Sequence, residues 1–211
     1  HFPMYCTGYW SPTDSRKEPG QTYAELVRVM EKHGVAVNLS GHTHIYERSW
    51  RLRNGGRDDQ NGVLYLVNGG DINANYPERW SAVTDERGAM AKPTYSVFHC
   101  KDDRMEIRTY CWSPASGGFI EIDYCVFWQD ESLPAAVLES LPQRQGGELV
   151  AGITEVGAMA YQPAAPKLIP HLASEDQAVR RAAAKALRCI GSEEVAEAIL
   201  PYLNDPDVTV R

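Results

Sequence analysis

The sequence predicts an α/β portion over residues 1–128, a linker over 129–135 and an all-α repeat segment over 136–211. Three observations carry that division. Between Thr22 and Val67 a helical pattern alternates with short apolar runs, and three further strand patterns follow between Thr94 and Phe127. Aromatic strand residues give way to Ala, Leu and Glu near Gln129 to Pro134. Beyond that shift, Leu168-Ile169-Pro170-His171-Leu172 recurs 31 positions later as Ile199-Leu200-Pro201-Tyr202-Leu203.

The elements follow in order. His1 to Gly20 is aromatic, then rich in Pro, Asp and Ser, and reads as loop. Thr22 with Glu25 fits a capping box, Tyr23, Leu26, Val27 and Met30 share a face, and Gly34 supplies the stop, so a helix runs from Thr22 to His33. Val35 to Leu39 reads as a buried strand feeding a loop that carries His42-Thr43-His44. A polar, glycine-rich excursion from Arg53 to Gly62 precedes a second buried strand, Val63 to Val67, closed by Asn68-Gly69-Gly70-Asp71. Ile72 to Lys92 reads as a long surface loop. Thr94 to Cys100, Met105 to Trp112 and Phe119 to Phe127 form an expected antiparallel meander, with Ile120, Ile122, Tyr124 and Val126 on one face of the last strand and Glu121 and Asp123 on the other.

In the repeat segment, Val179-Arg180 recurs as Val210-Arg211 at the same offset. A weaker earlier copy places Val137, Leu138 and Leu141 opposite Leu168, Ile169 and Leu172, and Val156 and Met159 opposite Leu187 and Ile190. Each unit is an expected helix pair, and Asp205-Pro206 reads as the cap and first position of the last unit's second helix. The pattern resembles HEAT-like repeats, which implies a surface for a protein partner.

A formal net charge of -7 with dispersed charges offers no footprint for nucleic acid. No apolar run approaches the ~20 residues of a membrane span. Five cysteines lack a C-x-x-C pair and form no readable zinc site. Cys111 and Cys125 lie in apolar runs, where a thiol acts as a small buried hydrophobe. The chain opens on His1 and its last repeat stops in mid-pattern, so both ends read as cuts in a longer protein, with any targeting signal upstream.

Two histidines one residue apart just beyond a strand can both be presented to metal ions from a short turn. Here Gly41 precedes the pair, and the run continues Ile45-Tyr46-Glu47-Arg48. Gly41-His42-Thr43-His44-Ile45-Tyr46-Glu47-Arg48 resembles the last signature block of purple acid phosphatases, within the calcineurin-like metallophosphoesterases. His1-Phe2-Pro3-Met4-Tyr5 resembles the block before it, and Tyr65 to Asp71 and Tyr95 to Phe98 resemble the family's C-terminal strands. The similarity covers residues 1–128, the C-terminal half of such a domain.

That resemblance implies a two-metal site in the parent protein, iron with zinc or manganese, acting on a phosphate ester, and favours a secreted or periplasmic setting. It implies that His1 and His42 ligate one ion and His44 the other, with Tyr46, Glu47 and Arg48 supporting the loop, Glu47 pairing with Arg48. Imidazoles alone leave two such ions poorly compensated, so carboxylates must complete the site. The family's Gly-Asp, Gly-Asp-x-x-Tyr and Gly-Asn-His blocks are absent from this chain, which on its own is expected to be inactive. The histidines that plant-type members place after His1 are missing between Cys6 and Lys32, so the leaving-group acid is unassigned; Asp14 reads as a turn former. Asp71, Asn73 and Asn75 after the glycine pair could line the site, and turn chemistry explains them at least as well; His33, His99 and His171 fit structural roles. The metallo-β-lactamase pattern wants Asp and His where Ile45-Tyr46-Glu47 stand. The competing reading is an interaction scaffold, a degenerate phosphoesterase domain carrying the repeats.

Overall fold

A computed structural model describes residues 4–5, 21–42, 45–69, 93–191, 193–202, 204–207 and 210, with backbone alone at 21–23 and 193–194. The chain divides into two compact units, His1–Val97 with Arg108–Asp123, and Phe98–Ile107 with Tyr124–Arg211. Sheets lead and helices follow, as the α/β-then-helical pattern predicts. Among the described residues no helix is long and apolar enough to cross a membrane.

In the first unit α1 (Gln21–Lys32) ends at Gly34, whose φ of 63° allows the Val35 amide to reach back to the Met30 carbonyl at 3.0 Å. The chain then enters β1 (Val37–Ser40), β2 (Tyr46–Arg53), β3 (Gly56–Arg57) and β4 (Val63–Asn68), which form a sheet in the order β1-β4-β2-β3. β1 runs parallel to β4, and β2 antiparallel to it. Met30 packs with Leu52, Val63 and Tyr65 in a small core, flanked by Val27, Val35 and Trp50.

Two departures from expectation have simple causes. β1 is half-buried rather than buried, with Leu39 56% exposed, because it lies at the edge of this sheet. β2 occupies a stretch that carries no strand signal, since Glu47, Arg48, Arg51 and Arg53 break the apolar alternation. Between Arg53 and Gly56, inside the excursion expected to be polar loop, Asn54 and Gly55 take φ of 51° and 75°, the left-handed pair that an Asn-Gly hairpin requires. Ser49 and Trp50 stand opposite the single residue Tyr65 as a bulge, and the Ser49 hydroxyl accepts the Tyr65 amide at 2.9 Å where the ladder is broken.

β5 (Thr94–Cys100), β6 (Arg104–Ser113) and β7 (Gly118–Trp128) form a three-stranded sheet in chain order. The connection at 101–103 is too short for a parallel crossover, so β5 and β6 are antiparallel as expected. Each strand contributes to both units. The segment 72–92, read as a surface loop, lies wholly outside the described residues.

The second unit holds α2 (Ser132–Ser140), α3 (Gly146–Ala158), α4 (Ala165–Leu168), α5 (Gln177–Ile190) and α6 (Glu193–Ile199). α2 begins inside the stretch expected to be linker, and Trp128 joins the helical core, where its indole donates to the Met159 carbonyl at 2.9 Å. Of the apolar positions that repeat in sequence, Val137, Leu138, Leu141, Val156, Met159, Leu168, Leu172, Leu187 and Ile190 are buried, whereas Ile169 and Ile199 are half-buried and Leu200 is exposed. Gly157 passes so close to α5 that a Cβ there would meet Ala186 Cα and Cβ at 2.5 Å.

Asp176 caps α5 by accepting the Ala178 amide at 2.8 Å, and Ser174 accepts the Asp176 amide at 3.2 Å. Asp205, expected to be a cap, accepts the Asp207 amide at 2.7 Å, the same two-residue bond by which Asp176 caps α5, and most of the residues that follow lie outside those described. Asp207 also accepts from Gln177 at 2.8 Å and Arg181 at 2.5 Å, both on α5.

Candidate functional site

β1 ends at Ser40 and β2 begins at Tyr46, so both histidines fall in the short connection between them, of which Thr43 and His44 lie outside the described residues. Its N-terminal side is set by the β1–β4 ladder, in which Ser40 stands opposite Val67. Its C-terminal side is set by Ile45, which packs on Val67 and accepts the Gly69 amide at 3.0 Å. Within the turn His42 is half-buried and takes φ of 69°, a left-handed conformation uncommon in a residue with a Cβ. Such strained positions recur where a side chain must be aimed. His1 and His44 lie outside the described residues, so the expected three-histidine set is described at His42 alone.

Directly after the turn lies a buried polar cluster. Tyr46 donates its hydroxyl to Asp123 Oδ2. Arg48 Nε donates to the same oxygen at 2.6 Å, and Arg48 Nη2 to Oδ1 at 3.1 Å. All three side chains are buried, Tyr46 1%, Arg48 4% and Asp123 2% exposed. Two-residue alternation puts Tyr46 and Arg48 on one face of β2, with Glu47 on the other. Arg48 is thus paired with Asp123 of β7, a partner that adjacency in the sequence does not suggest.

Asn68, in register with Tyr46, extends this polar layer. It accepts from Thr94 Oγ1 at 2.6 Å and donates to Ser96 Oγ at 2.8 Å, and Ser96 shares a hydrogen bond with Thr109 Oγ1 at 2.7 Å. The end of the four-stranded sheet that carries the histidine turn is thus joined to β5, β6 and β7 through directional polar contacts within the first unit. Apolar packing supports the opposite face of β4. Burial pushes the Tyr65 phenol well above its usual value, with Tyr5 and Glu31 adding to the rise. Its hydroxyl has no hydrogen-bond partner among the described residues.

The donor chemistry fits the imidazole share of a metal centre and no more. Among the described residues no group of three or more His, Cys, Asp or Glu side chains could hold an ion. Asp123 is a poor candidate ligand, since both its oxygens already accept from Arg48. Asp14, Asp71, Asn73 and Asn75 lie outside the described residues. His33 and His99 are exposed, on the end of α1 and on β5, and His171 is half-buried in the turn after α4. Cys111 and Cys125 are buried in β6 and β7, as expected of small hydrophobes.

Sequence reasoning missed Asp123. Its alternation with Ile122 and Tyr124 marked a polar strand face, and nothing local signalled that this carboxylate is buried against β2. Among known proteins, residues 149–211 match a family model for HEAT repeats. No curated protein is matched by the chain. The helical segment is accordingly HEAT-like, in agreement with the period read from its sequence.

Proposed function

We propose that residues 1–128 furnish the imidazole share of a two-metal phosphoesterase centre, and that the parent protein hydrolyses phosphate esters. His42 and, by the resemblance, His1 serve one ion and His44 the other, iron with zinc or manganese. The observation that carries this reading is the seat of His42: a left-handed residue in a turn held at both ends, after a parallel strand. Two bound ions supply a Lewis acid for the phosphoryl oxygens and an activated water. The chain's residues do the holding, with neutral imidazole nitrogens as donors and a neutral Arg48–Asp123 pair behind them.

The open flank of the sheet supports the view that more chain completes the domain. Among the described residues β1 pairs with β4 alone, and Leu39 on β1 and Leu26 and Val29 on α1 are exposed. Parallel strands are ordinarily covered on both faces. The missing carboxylates would come from that added chain. The test is to read the gene upstream of the His1 codon, express the frame it encodes, and assay p-nitrophenyl phosphate hydrolysis after metal loading. In-frame Gly-Asp, Gly-Asp-x-x-Tyr and Gly-Asn-His blocks, with activity abolished by His42→Ala and by His44→Ala, are expected. Replaced carboxylates, or hydrolysis indifferent to both substitutions, overturn the reading.

The HEAT match favours a second role, a protein partner bound on the helical repeats. If the upstream carboxylates are replaced, that role stands alone as a scaffold function. Capture of a protein partner by residues 136–211, with no hydrolysis by the whole protein, is its signature.

A further inference from the structure

We propose that the cleft between α3 and α5 is a docking groove for an acidic peptide segment of a protein partner, with Lys185 at its rim as the cation that meets a carboxylate. The inference rests on the protein-partner role of the helical repeats and names the chemistry of that partner. α5 carries Arg180, Arg181, Lys185 and Arg188 and no acidic residue, in a chain whose formal net charge is -7. Two of these cations are committed to the following repeat. Arg180 pairs with Asp205 at 3.4 Å, and Arg181 with Asp207 at 2.5 Å. Lys185 carries no ion pair among the described residues, and its side chain lines the cleft.

Helical periodicity sets Arg181, Lys185 and Arg188 in one stripe along α5, and Ala182, Ala186 and Cys189 in the neighbouring stripe that forms the cleft wall. Arg181 and Arg188 are exposed and Lys185 is half-buried. Gly157 and Ala158 of α3 form the opposite wall, and the missing Cβ of Gly157 is what lets α3 close on Ala186. Thr154 donates its hydroxyl to the Val150 carbonyl of its own helix at 2.7 Å. Glu155, next along α3, is taken by Arg104 at 2.8 Å and does not neutralise Lys185. The cleft offers about 240 Å³ of space, less than the roughly 300–1,000 Å³ of small-molecule sites, which suits one aliphatic side chain of a docked segment. A lone cation beside a methyl-lined cleft is complementary to a carboxylate next to an apolar side chain. A single-stranded nucleic acid fits less well, because bases stack on accessible aromatic rings and the aromatic residue of this wall, Tyr124, is 8% exposed.

The probe is a fluorescently labelled peptide of glutamates around a central leucine, followed by polarisation. It is titrated with the 211-residue chain, with Lys185→Gln and Lys185→Glu, and with Lys167→Gln, which removes an exposed charge on α4 away from the cleft. Thermal unfolding checks each fold, and Arg188→Gln on the exposed stripe carries the test should a Lys185 variant not fold. The expected result is salt-sensitive binding, weakened about 3–5-fold by Lys185→Gln, further by Lys185→Glu and not by Lys167→Gln. Glycine in place of the leucine should weaken it as well. No binding, binding indifferent to Lys185 and Arg188, or equal binding of a single-stranded oligonucleotide overturns the groove. The broader role is judged apart from it: a protein partner captured by the whole chain and held as tightly by Lys185→Glu overturns the groove and leaves the partner role standing, whereas capture of no partner and no binding of the peptide overturn both.

Discussion

The two units keep their elements in place by different physics. In the strand-rich unit, sheet meets sheet through an Arg48–Asp123 ion pair, a tyrosine hydroxyl and an Asn68–Ser96–Thr109 chain of hydrogen bonds. The helical unit instead relies on interchangeable aliphatic contacts, Leu168, Leu187, Ile153 and Ile190 among them, and on a glycine that lets α3 approach α5. Polar bonds specify direction, and apolar contacts specify distance and volume. In the repeats apolar contacts dominate, beside polar bonds such as those of Asp207 with Gln177 and Arg181, and the same aliphatic residue types recur at a fixed period.

That contrast can be broken from either side. The largest expected effect is Asp123→Ala, which strands a buried guanidinium and should destabilise the strand-rich unit by about 3–5 kcal/mol in urea unfolding. Replacing both partners, Arg48→Met with Asp123→Leu, should recover most of that loss. A double variant no more stable than the single one would mean that the pair itself, and not relief of a stranded charge, holds the sheets. Next comes Leu168→Ala in the helical unit, expected to cost about 3 kcal/mol through the cavity it leaves. Circular dichroism near 222 nm during urea unfolding follows chiefly that unit, which holds α2 to α6, with a smaller share from α1.

A smaller effect tests close approach. Gly157→Ala puts a methyl group against Ala186 and should cost about 1–3 kcal/mol, read as a lowered melting temperature. Ala186→Gly on that background should return part of it. The smallest effect concerns Tyr65, whose phenol is pushed above its usual value by burial. The folded state then holds the proton that the unfolded state releases near pH 10, so stability falls as pH rises from there toward the folded value. Tyr65→Phe should flatten that alkaline decline, and by removing an unpartnered buried hydroxyl should change stability at pH 7 by about 1 kcal/mol or less. A decline that persists unchanged in Tyr65→Phe assigns it to another group.

Local sequence determined a good deal. Gly34 stops α1 where a positive φ is needed, the 31-residue recurrence marks the buried stripe of the repeats, and the three strands β5 to β7 follow their apolar patterns closely. His42 could be singled out because a glycine, two histidines and a preceding strand are neighbours in the chain. These signals are short-range, and backbone geometry and side-chain periodicity act over a few residues.

Only the tertiary structure decided the rest. β2 is a strand because β4 supplies its ladder and Asp123 neutralises its arginine, whereas its own residues look like a charged loop. β1 lies at the edge of the described sheet, a position its sequence does not reveal, since nothing in it says which strands pair beside it. Asp123 reads as a solvated charge until β7 is laid against β2. The reason is common to all three: the stability of a buried charge or an unpaired strand edge depends on groups brought near by folding, and those groups lie far away along the chain.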